Sequence, residues 1–154
     1  MTGSTRASEC VFCDAAARCA DPVQESLVLG RASHSYVILN LYPYNNGHLM
    51  VVPKRHIATL GEATADELNE MMRLTRDAEE ALTEAYKPQG INVGINLGRA
   101  AGAGILDHVH VHLVPRWIGD TNFMPVIGQT RVLPEDLSET ARRLRPIFER
   151  LLKK

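Results

Sequence analysis

Three of the six histidines in this chain, His108, His110 and His112, alternate with valine in one short stretch. Side chains two residues apart point to the same face of a β-strand, so the pattern predicts a strand with three imidazoles on one face and the valines in the core. Unpaired imidazoles are costly to bury. We therefore expect that face to line a ligand site, a metal site or a hydrogen-bonded network.

This histidine face could perform either of two kinds of chemistry. A neutral imidazole can attack phosphorus, and a covalent intermediate divides one difficult displacement into two easier ones. The Gly- and Ala-rich segment 98–104 could donate backbone N–H groups to phosphate, with Arg99 assisting. The rival interpretation is a metal hydrolase in which histidines bind zinc and activate water.

A Cys-x-x-Cys pair, Cys10 and Cys13, supplies half of a tetrahedral zinc site. A thioredoxin-like redox role would require a strand before the motif, and the sequence predicts none there. With two histidines the pair would complete a closed structural site, which has no open position for water and leaves other histidines free for covalent chemistry. Cys19 has no nearby partner, and we interpret it as a buried or incidental thiol.

Length and composition predict one compact domain and restrict the classes of partner. The chain has 154 residues, 45% of them hydrophobic, and we expect a disordered N-terminus over 1–9 and a single domain over 10–154. A net charge of -1 with both signs mixed disfavours nucleic acid and anionic membranes as partners. Because no apolar run could span a bilayer and the first residues are too polar for a signal peptide, we expect a cytoplasmic protein.

The remaining pattern predicts strands and helices around the histidine stretch. Strands are predicted over 26–30, 34–41, 48–53 and 91–97, and a strand broken by proline over 124–131. A capping box opens a long helix over 64–86, whose Met71 and Met72 we interpret as core residues. A closing helix is predicted over 134–152, with a proline in its first turn and a kink or break at Pro146.

With these elements in place, the sequence resembles the histidine triad (HIT) family, whose signature alternates three histidines with apolar residues. Residues 108–114 match that signature completely, and 47–56 resemble the strand that precedes it in the family. The cysteine pair is similar to the zinc-bearing bacterial branch. Three further segments look most like the diadenosine tetraphosphate phosphorylase or hydrolase type: 39–45, 96–104 and 114–117.

The resemblance implies an α+β fold with a five-stranded antiparallel sheet, a long central helix and a C-terminal helix, usually in a homodimer. It implies an enzyme acting on nucleotides, adenine nucleotides foremost, and a structural zinc ion. His110 would be the nucleophile, His112 would contact the phosphate and the leaving group, and His48 would support the nucleophile. The resemblance also implies substrate contacts by Asn40 (ribose) and Asn96 (phosphate oxygens), and zinc ligation by Cys10, Cys13, His56 and His108. The composition of the loop adds Arg99, Gly102 and Gly104 as candidate phosphate contacts.

One departure from the family pattern concerns the leaving group. Many members carry Gln followed by Ser or Thr shortly before the triad, whereas this chain has Gly104 and Ile105. Backbone N–H groups could still bind phosphate there, but they cannot replace a hydroxyl acid.

We expect nucleotidyl transfer or hydrolysis on (di)nucleoside polyphosphates such as diadenosine tetraphosphate, through a nucleotidyl-histidine intermediate. The alternatives are a purine nucleoside phosphoramidase and a nucleotide-binding regulatory module with little turnover, and the acceptor, phosphate or water, stays open.

Overall fold

A computed structural model of the chain describes residues 9–17, 26–120 and 135–154. These ranges form one five-stranded sheet in which neighbouring strands are antiparallel, in the order β1-β2-β3-β5-β4. The strands are β1 (Val28–Arg31), β2 (Ser35–Leu39), β3 (Leu49–Pro53), β4 (Gly90–Ile95) and β5 (Val111–Arg116). The predicted α+β fold is confirmed, and β5, which carries His112, lies between β3 and the edge strand β4.

Three α-helices lie wholly within the described ranges: α1 (Val11–Ala16), α2 (Ala65–Tyr86) and α3 (Leu137–Leu151). Helix α2 packs against β2, β3 and β5, and α3 packs against α2 and β1. Strands β2 and β3 are buried along their whole length, which places the core in the middle of the sheet. No helix within the described ranges is both long and apolar enough to cross a membrane.

Helix α2 begins where the sequence predicts, at a capping box. The Thr64 hydroxyl accepts from the Glu67 backbone N–H at 3.2 Å, and the Glu67 carboxylate accepts from the Thr64 N–H at 2.8 Å. The prediction that both methionines fill the core is wrong, because Met71 is 3% exposed and Met72 is 69% exposed. Adjacent helical residues point about 100° apart, and in this helix Met71 faces the core while Met72 faces solvent.

Helix α3 also differs from its prediction. Asp136 caps its N-terminus by accepting from the Ser138 N–H at 2.7 Å, and the helix continues through Pro146 without the break that we considered. Phe148, which is fully buried in the turn that contains Pro146, packs this part of the helix into the core. Residues 1–8, Cys19, Pro134 and the strand predicted over 124–131 lie outside the described residues.

Candidate active site and metal centre

The histidine stretch is only partly a strand. Strand β5 begins at Val111, so His108 and His110 precede it, and the prediction of three imidazoles on one pleated face is wrong. The backbone N–H of Val109 donates to the Ile57 carbonyl at 2.7 Å, outside the sheet ladder. Both His108 and His110 are buried, at 0% and 4% exposure.

The four predicted zinc ligands come together in the structure. One donor atom from each of Cys10, Cys13, His56 and His108 lies within 4.8 Å of all the others. His108 Nδ1 is 3.3 Å from Cys10 Sγ and 3.7 Å from Cys13 Sγ, and His56 Nδ1 is 3.3 Å from Cys13 Sγ. Two thiols and two imidazoles in a compact group form a site that a tetrahedral metal ion could occupy.

Contacts around this cluster hold its donors in place. The Tyr36 hydroxyl donates to the Phe12 carbonyl at 2.7 Å, and Arg31 donates to the Ala15 carbonyl at 2.7 Å, which ties both ends of α1 to the sheet. His108 Nε2 is 2.7 Å from the Pro53 carbonyl. A carbonyl can only accept, so Nε2 carries the proton and the Nδ1 lone pair faces the thiols, as a metal ligand requires.

The protonation chemistry of the thiols also fits a cation. Burial and then the neighbouring Cys10 raise the pKa of Cys13 to about 11. A thiol with such a pKa stays protonated at neutral pH unless a cation stabilises the thiolate, and coordination to zinc does so. Four protein donors would fill a tetrahedral shell, so this donor set suits a closed structural site.

His110 is held in one tautomer by the backbone of the neighbouring metal-site residue. Its Nδ1 lies 2.9 Å from the carbonyl oxygen of His108, so Nδ1 carries the proton and Nε2 keeps a free lone pair. Burial lowers the pKa of His110 and favours the neutral form. The Phe12 ring packs against the imidazole at 5.0 Å between centroids. This arrangement presents a neutral, oriented imidazole that is able to act as a nucleophile.

His48 and His112 form a second hydrogen-bonded system beside His110. The Tyr44 backbone N–H donates to His48 Nδ1 at 3.1 Å, which leaves the proton of neutral His48 on Nε2. That atom lies 2.9 Å from His112 Nδ1, so His112 accepts there and carries its own proton on Nε2. Burial, and then neighbouring imidazoles, lower the pKa values of both residues to about 4. At neutral pH, His112 is therefore an uncharged hydrogen-bond donor next to His110.

The predicted substrate contacts fall into two groups. Asn40 lies next to His48, with its side-chain nitrogen 3.4 Å from His48 Nε2 and its oxygen accepting from the Tyr42 N–H at 2.8 Å. Asn96 lines a cavity together with His112. The others, Arg99, Gly102 and Gly104, are exposed residues of the loop after β4.

The cavity has a volume of about 480 Å³ and opens beside His112. It is lined by Tyr44, Asn45, Asn92, Val93, Gly94, Asn96, His112, Val114, Arg116 and Asp120. Tyr44, Asn92 and Arg116 were not among the predicted site residues. The alternation of β5 alone places His112, Val114 and Arg116 on one face, but the partners from β4 depend on a strand register that the sequence does not specify.

A family model supports the assignment that the geometry suggests. The model of the HIT domain matches residues 21–117. The chain belongs to the HIT domain family. The matched range contains the histidine stretch, His48 and His56, while the cysteine pair precedes it.

This HIT protein is similar to relatives that are named as nucleotide enzymes and to a zinc-bound solved structure. It is 47% identical over 121 residues to an AP-4-A phosphorylase of Mycobacterium tuberculosis, covering 79% of this chain and 62% of that relative. It is 33% identical over 91 residues to an asymmetrical bis(5'-nucleosyl)-tetraphosphatase of Schizosaccharomyces pombe, covering 59% of this chain and 50% of that relative. The crystal structure of a Zn-bound histidine triad family protein from Mycobacterium smegmatis superposes with a TM-score of 0.75 at 27% identity, over 94% of this chain and 96% of that chain.

Proposed function

We propose that this HIT protein transfers nucleotidyl groups from (di)nucleoside polyphosphates such as diadenosine tetraphosphate, through a covalent nucleotidyl-His110 intermediate. The observation that carries the proposal is the hydrogen bond from His110 Nδ1 to the His108 carbonyl, which leaves the Nε2 lone pair free for attack. The names of the phosphorylase and tetraphosphatase relatives support the same substrate class. The matched region spans 62% of the length of the phosphorylase relative, so the likeness alone does not give the activity. We therefore infer the activity and the substrate from the geometry of the site together with the likeness.

The proposed first step forms a bond between His110 Nε2 and the α-phosphorus and breaks the bond from that phosphorus to the bridging oxygen. The bonding electrons leave with the departing polyphosphate. The imidazole becomes positively charged, and its Nδ1–H stays on the His108 carbonyl. In the second step, phosphate or water attacks the same phosphorus and restores the free histidine, which yields ADP or AMP from an adenylyl group.

The departing group argues for a phosphoanhydride substrate rather than a phosphoramidate. An amine leaving group has to be protonated as the P–N bond breaks, whereas a polyphosphate leaves as a stable anion. This chain has Gly104 and Ile105 where many family members have Gln and a hydroxyl residue. His112, whose pKa is lowered to about 4 by burial and by His110, offers a neutral N–H to stabilise the anion and does not supply a strong acid. We therefore propose a phosphoanhydride substrate.

The remaining predicted residues are proposed to bind substrate. Asn40 would hold the ribose hydroxyls of the transferred nucleotide, and Asn96 its phosphate oxygens. Backbone N–H groups near Gly102 and Gly104, with Arg99, would contact phosphate from the loop. His48 would act as a positioning residue that fixes the tautomer of His112.

We further propose a structural zinc ion on Cys10, Cys13, His56 and His108. The lone pair of His108 Nδ1 faces both thiols, and the four donors leave no coordination position for water. Zinc would cross-link α1 to the segment after β3, which carries His56, and to the segment before β5, which carries His108. The covalent step would then be carried out by His110, which lies two residues after the proposed zinc ligand His108.

A cytoplasmic homodimer is the proposed form of the protein. Strand β4 lies at the edge of the sheet, and three apolar side chains on and after it are exposed, Val93 (52%), Ile95 (37%) and Leu97 (44%). Apolar edge strands are commonly covered by pairing with another chain. The free thiols of Cys10 and Cys13 fit a reducing compartment.

The experiment that tests the function is incubation with diadenosine tetraphosphate, with and without inorganic phosphate. With phosphate we expect ATP and ADP, and with water as the acceptor we expect ATP and AMP. The ratio of ADP to AMP identifies the preferred acceptor. Absence of turnover under both conditions, in protein shown to bind AMP, would instead indicate a nucleotide-binding module.

A further inference from the structure

The hydrogen bond between His48 and His112 can be made in two ways, which differ in the position of both protons. In the first arrangement, His48 Nε2–H donates to His112 Nδ1, and the proton of His112 lies on Nε2. In the second, His112 Nδ1–H donates to His48 Nε2, and the proton of His48 lies on Nδ1. The 2.9 Å between the two nitrogens suits either arrangement. Only the first gives His112 the Nε2–H that serves as a donor in the proposed function.

One backbone contact in the turn 44–48 selects between the two arrangements. The Tyr44 N–H donates to His48 Nδ1 at 3.1 Å, and a ring nitrogen that accepts a hydrogen bond carries no proton. In the second arrangement the Tyr44 N–H and the His48 Nδ1–H would point at each other, donor against donor. The position of the Tyr44 backbone therefore determines which nitrogen of His112 carries the proton.

Asn45 ties this turn to β5. Its backbone carbonyl accepts from the His48 N–H at 3.1 Å, which closes the turn. Its side-chain Nδ2 donates to the Pro115 carbonyl at 3.0 Å and to the Asp120 carboxylate at 2.8 Å. Tyr44 is 72% exposed, so the position of its backbone depends on the anchoring of the residue that follows it.

Asp120 is a well-fixed acceptor for the Asn45 amide. The Arg116 guanidinium donates to both of its carboxylate oxygens, at 2.7 and 2.8 Å, and the Trp117 backbone N–H donates to one of them at 3.1 Å. The Asp120 side chain is only 11% exposed. Charge-assisted bonds to both oxygens hold the carboxylate in one orientation, which gives the Asn45 side chain a defined partner.

The second half of the turn has separate anchors. The Asn46 side-chain oxygen accepts from the Glu135 backbone N–H at 2.7 Å. Gly47 has a φ of +80°, and a Cβ built there would lie 3.0 Å from a methyl group of Leu82 on α2. These contacts hold the second half of the turn without Asn45. Replacement of Asn45 should therefore displace the first half of the turn and leave the fold intact.

We propose that Asn45 and Asp120 are positioning residues of the reaction, which hold the Tyr44 N–H on His48 and so keep the proton of His112 on Nε2. The inference rests on the proposed function, because it concerns the donor to the departing polyphosphate. Both residues act through the imidazole pair and not on the α-phosphorus. Their contribution is the alignment of a donor in the transition state, so it affects kcat rather than KM.

The kinetic test uses diadenosine tetraphosphate with the variants Asn45→Ala and Asp120→Ala. We expect kcat to fall by about 10-fold in each variant while KM stays close to that of the wild type. The double variant should lose no more than the more impaired single variant, because both residues act through the same hydrogen bond.

Asp77→Ala serves as the matched control. The Asp77 side chain is also paired with an arginine and is 13% exposed, and it lies on α2 outside the cavity lining. We expect this variant to keep the wild-type kcat. The comparison separates the loss of a half-buried ion pair in general from the loss of the contact with Asn45.

Nitrogen NMR of the imidazole rings gives a readout that needs no turnover, because protonated and unprotonated ring nitrogens differ in chemical shift. The free wild type should show His48 and His112 protonated on Nε2 alone. Asn45→Ala should show mixed tautomers for both rings. A role in stability alone would lower the free energy of unfolding and leave these signals unchanged.

Wild-type His48 with its proton on Nδ1 would overturn the proposal, even if a variant did not fold. Unchanged tautomers in Asn45→Ala, or wild-type kcat in both single variants, would also overturn it. A raised KM with unchanged kcat would show that the two residues bind substrate directly, and additive losses in the double variant would show that they act separately. Failure of the proposed function appears differently, as no turnover by a wild type whose imidazole signals show the expected tautomers.

Discussion

The three histidines of the signature differ in role because each has a different hydrogen-bond partner. His108 donates a hydrogen bond from Nε2–H to the Pro53 carbonyl, and its Nδ1 faces the thiols. His110 donates from Nδ1–H to the His108 carbonyl, and its Nε2 lone pair stays free. His112 accepts at Nδ1 from His48. One bond per ring thus gives each imidazole the tautomer that its proposed role requires, as metal ligand, nucleophile or hydrogen-bond donor.

Replacing His48 tests the tautomer assignment of His112. His48→Ala removes the donor at 2.9 Å, so His112 is free to carry its proton on either nitrogen. We expect kcat to fall by about 10- to 100-fold, as losses of orienting partners do, while KM changes little. Steady-state kinetics with diadenosine tetraphosphate measures this. The exposed His34 provides the control, and a loss in His48→Ala no larger than in His34→Ala would contradict the assignment.

The buried imidazoles also predict how stability depends on pH. The pKa values of His48 and His112 are about 4, against an ordinary value of 6.5, because burial opposes their charged forms. Between these values the unfolded chain takes up protons that the folded chain does not, so the free energy of unfolding falls as pH decreases from 6.5 to 4 and is fully retained above 6.5. Each such proton contributes a slope of up to about 1.4 kcal/mol per pH unit.

Chemical denaturation at several pH values between 4 and 7.5 checks this expectation. The variant His112→Gln lacks one of the two groups, so its unfolding free energy should fall less steeply over the same range. Both proteins keep the metal-site residues, so the difference between their slopes arises from the loss of the His112 imidazole, including its effect on the pKa of His48. Parallel curves for the two proteins would show that His112 does not have a lowered pKa in the folded state.

At the scale of elements, the sequence predicts what depends on local pattern. The ends of α2, the meander of β1 to β3 and the α+β class follow from capping residues, alternation and turn residues. The predicted start of β5, at His108, is wrong by three residues. The Val109 backbone N–H donates to the Ile57 carbonyl instead of to a neighbouring strand. The metal-site residues were identified through the family resemblance, while the cavity beyond His112 arises from the register of β4 and from Tyr44, which local pattern does not specify.

The proposed zinc ion would add a further attachment of the short helix α1 to the sheet, beside the hydrogen bonds from Tyr36 and Arg31. With six residues the helix is too short to be stable alone. Cys10→Ser replaces a good zinc donor by a poor one, so we expect zinc to be lost and the free energy of unfolding to fall by about 3 kcal/mol or more. Elemental analysis and denaturation measure both effects. A chelator should destabilise the wild type and leave Cys10→Ser unchanged, and wild-type protein that purifies without zinc would contradict the structural role.

At the scale of the whole molecule, the exposed edge of the sheet leads to an expectation about assembly. A homodimer that pairs through β4 would cover Val93, which is 52% exposed in the single chain. Val93→Lys places a charge in such an interface, so we expect a shift from dimer to monomer by sedimentation equilibrium. Tyr42→Lys is the control, because Tyr42 is 80% exposed and belongs to the turn between β2 and β3. A wild type that sediments as a monomer would rule the dimer out.

Rapid quench with substrate labelled at the α-phosphorus tests most directly whether His110 forms a covalent nucleotidyl intermediate. The wild type should form an acid-labile, base-stable labelled adduct within one turnover, while His110→Ala should form none and still bind zinc and AMP. Two displacements should give net retention of configuration at the α-phosphorus. Turnover by the wild type without any labelled protein, together with inversion at that phosphorus, would contradict the account and indicate direct attack by water or phosphate.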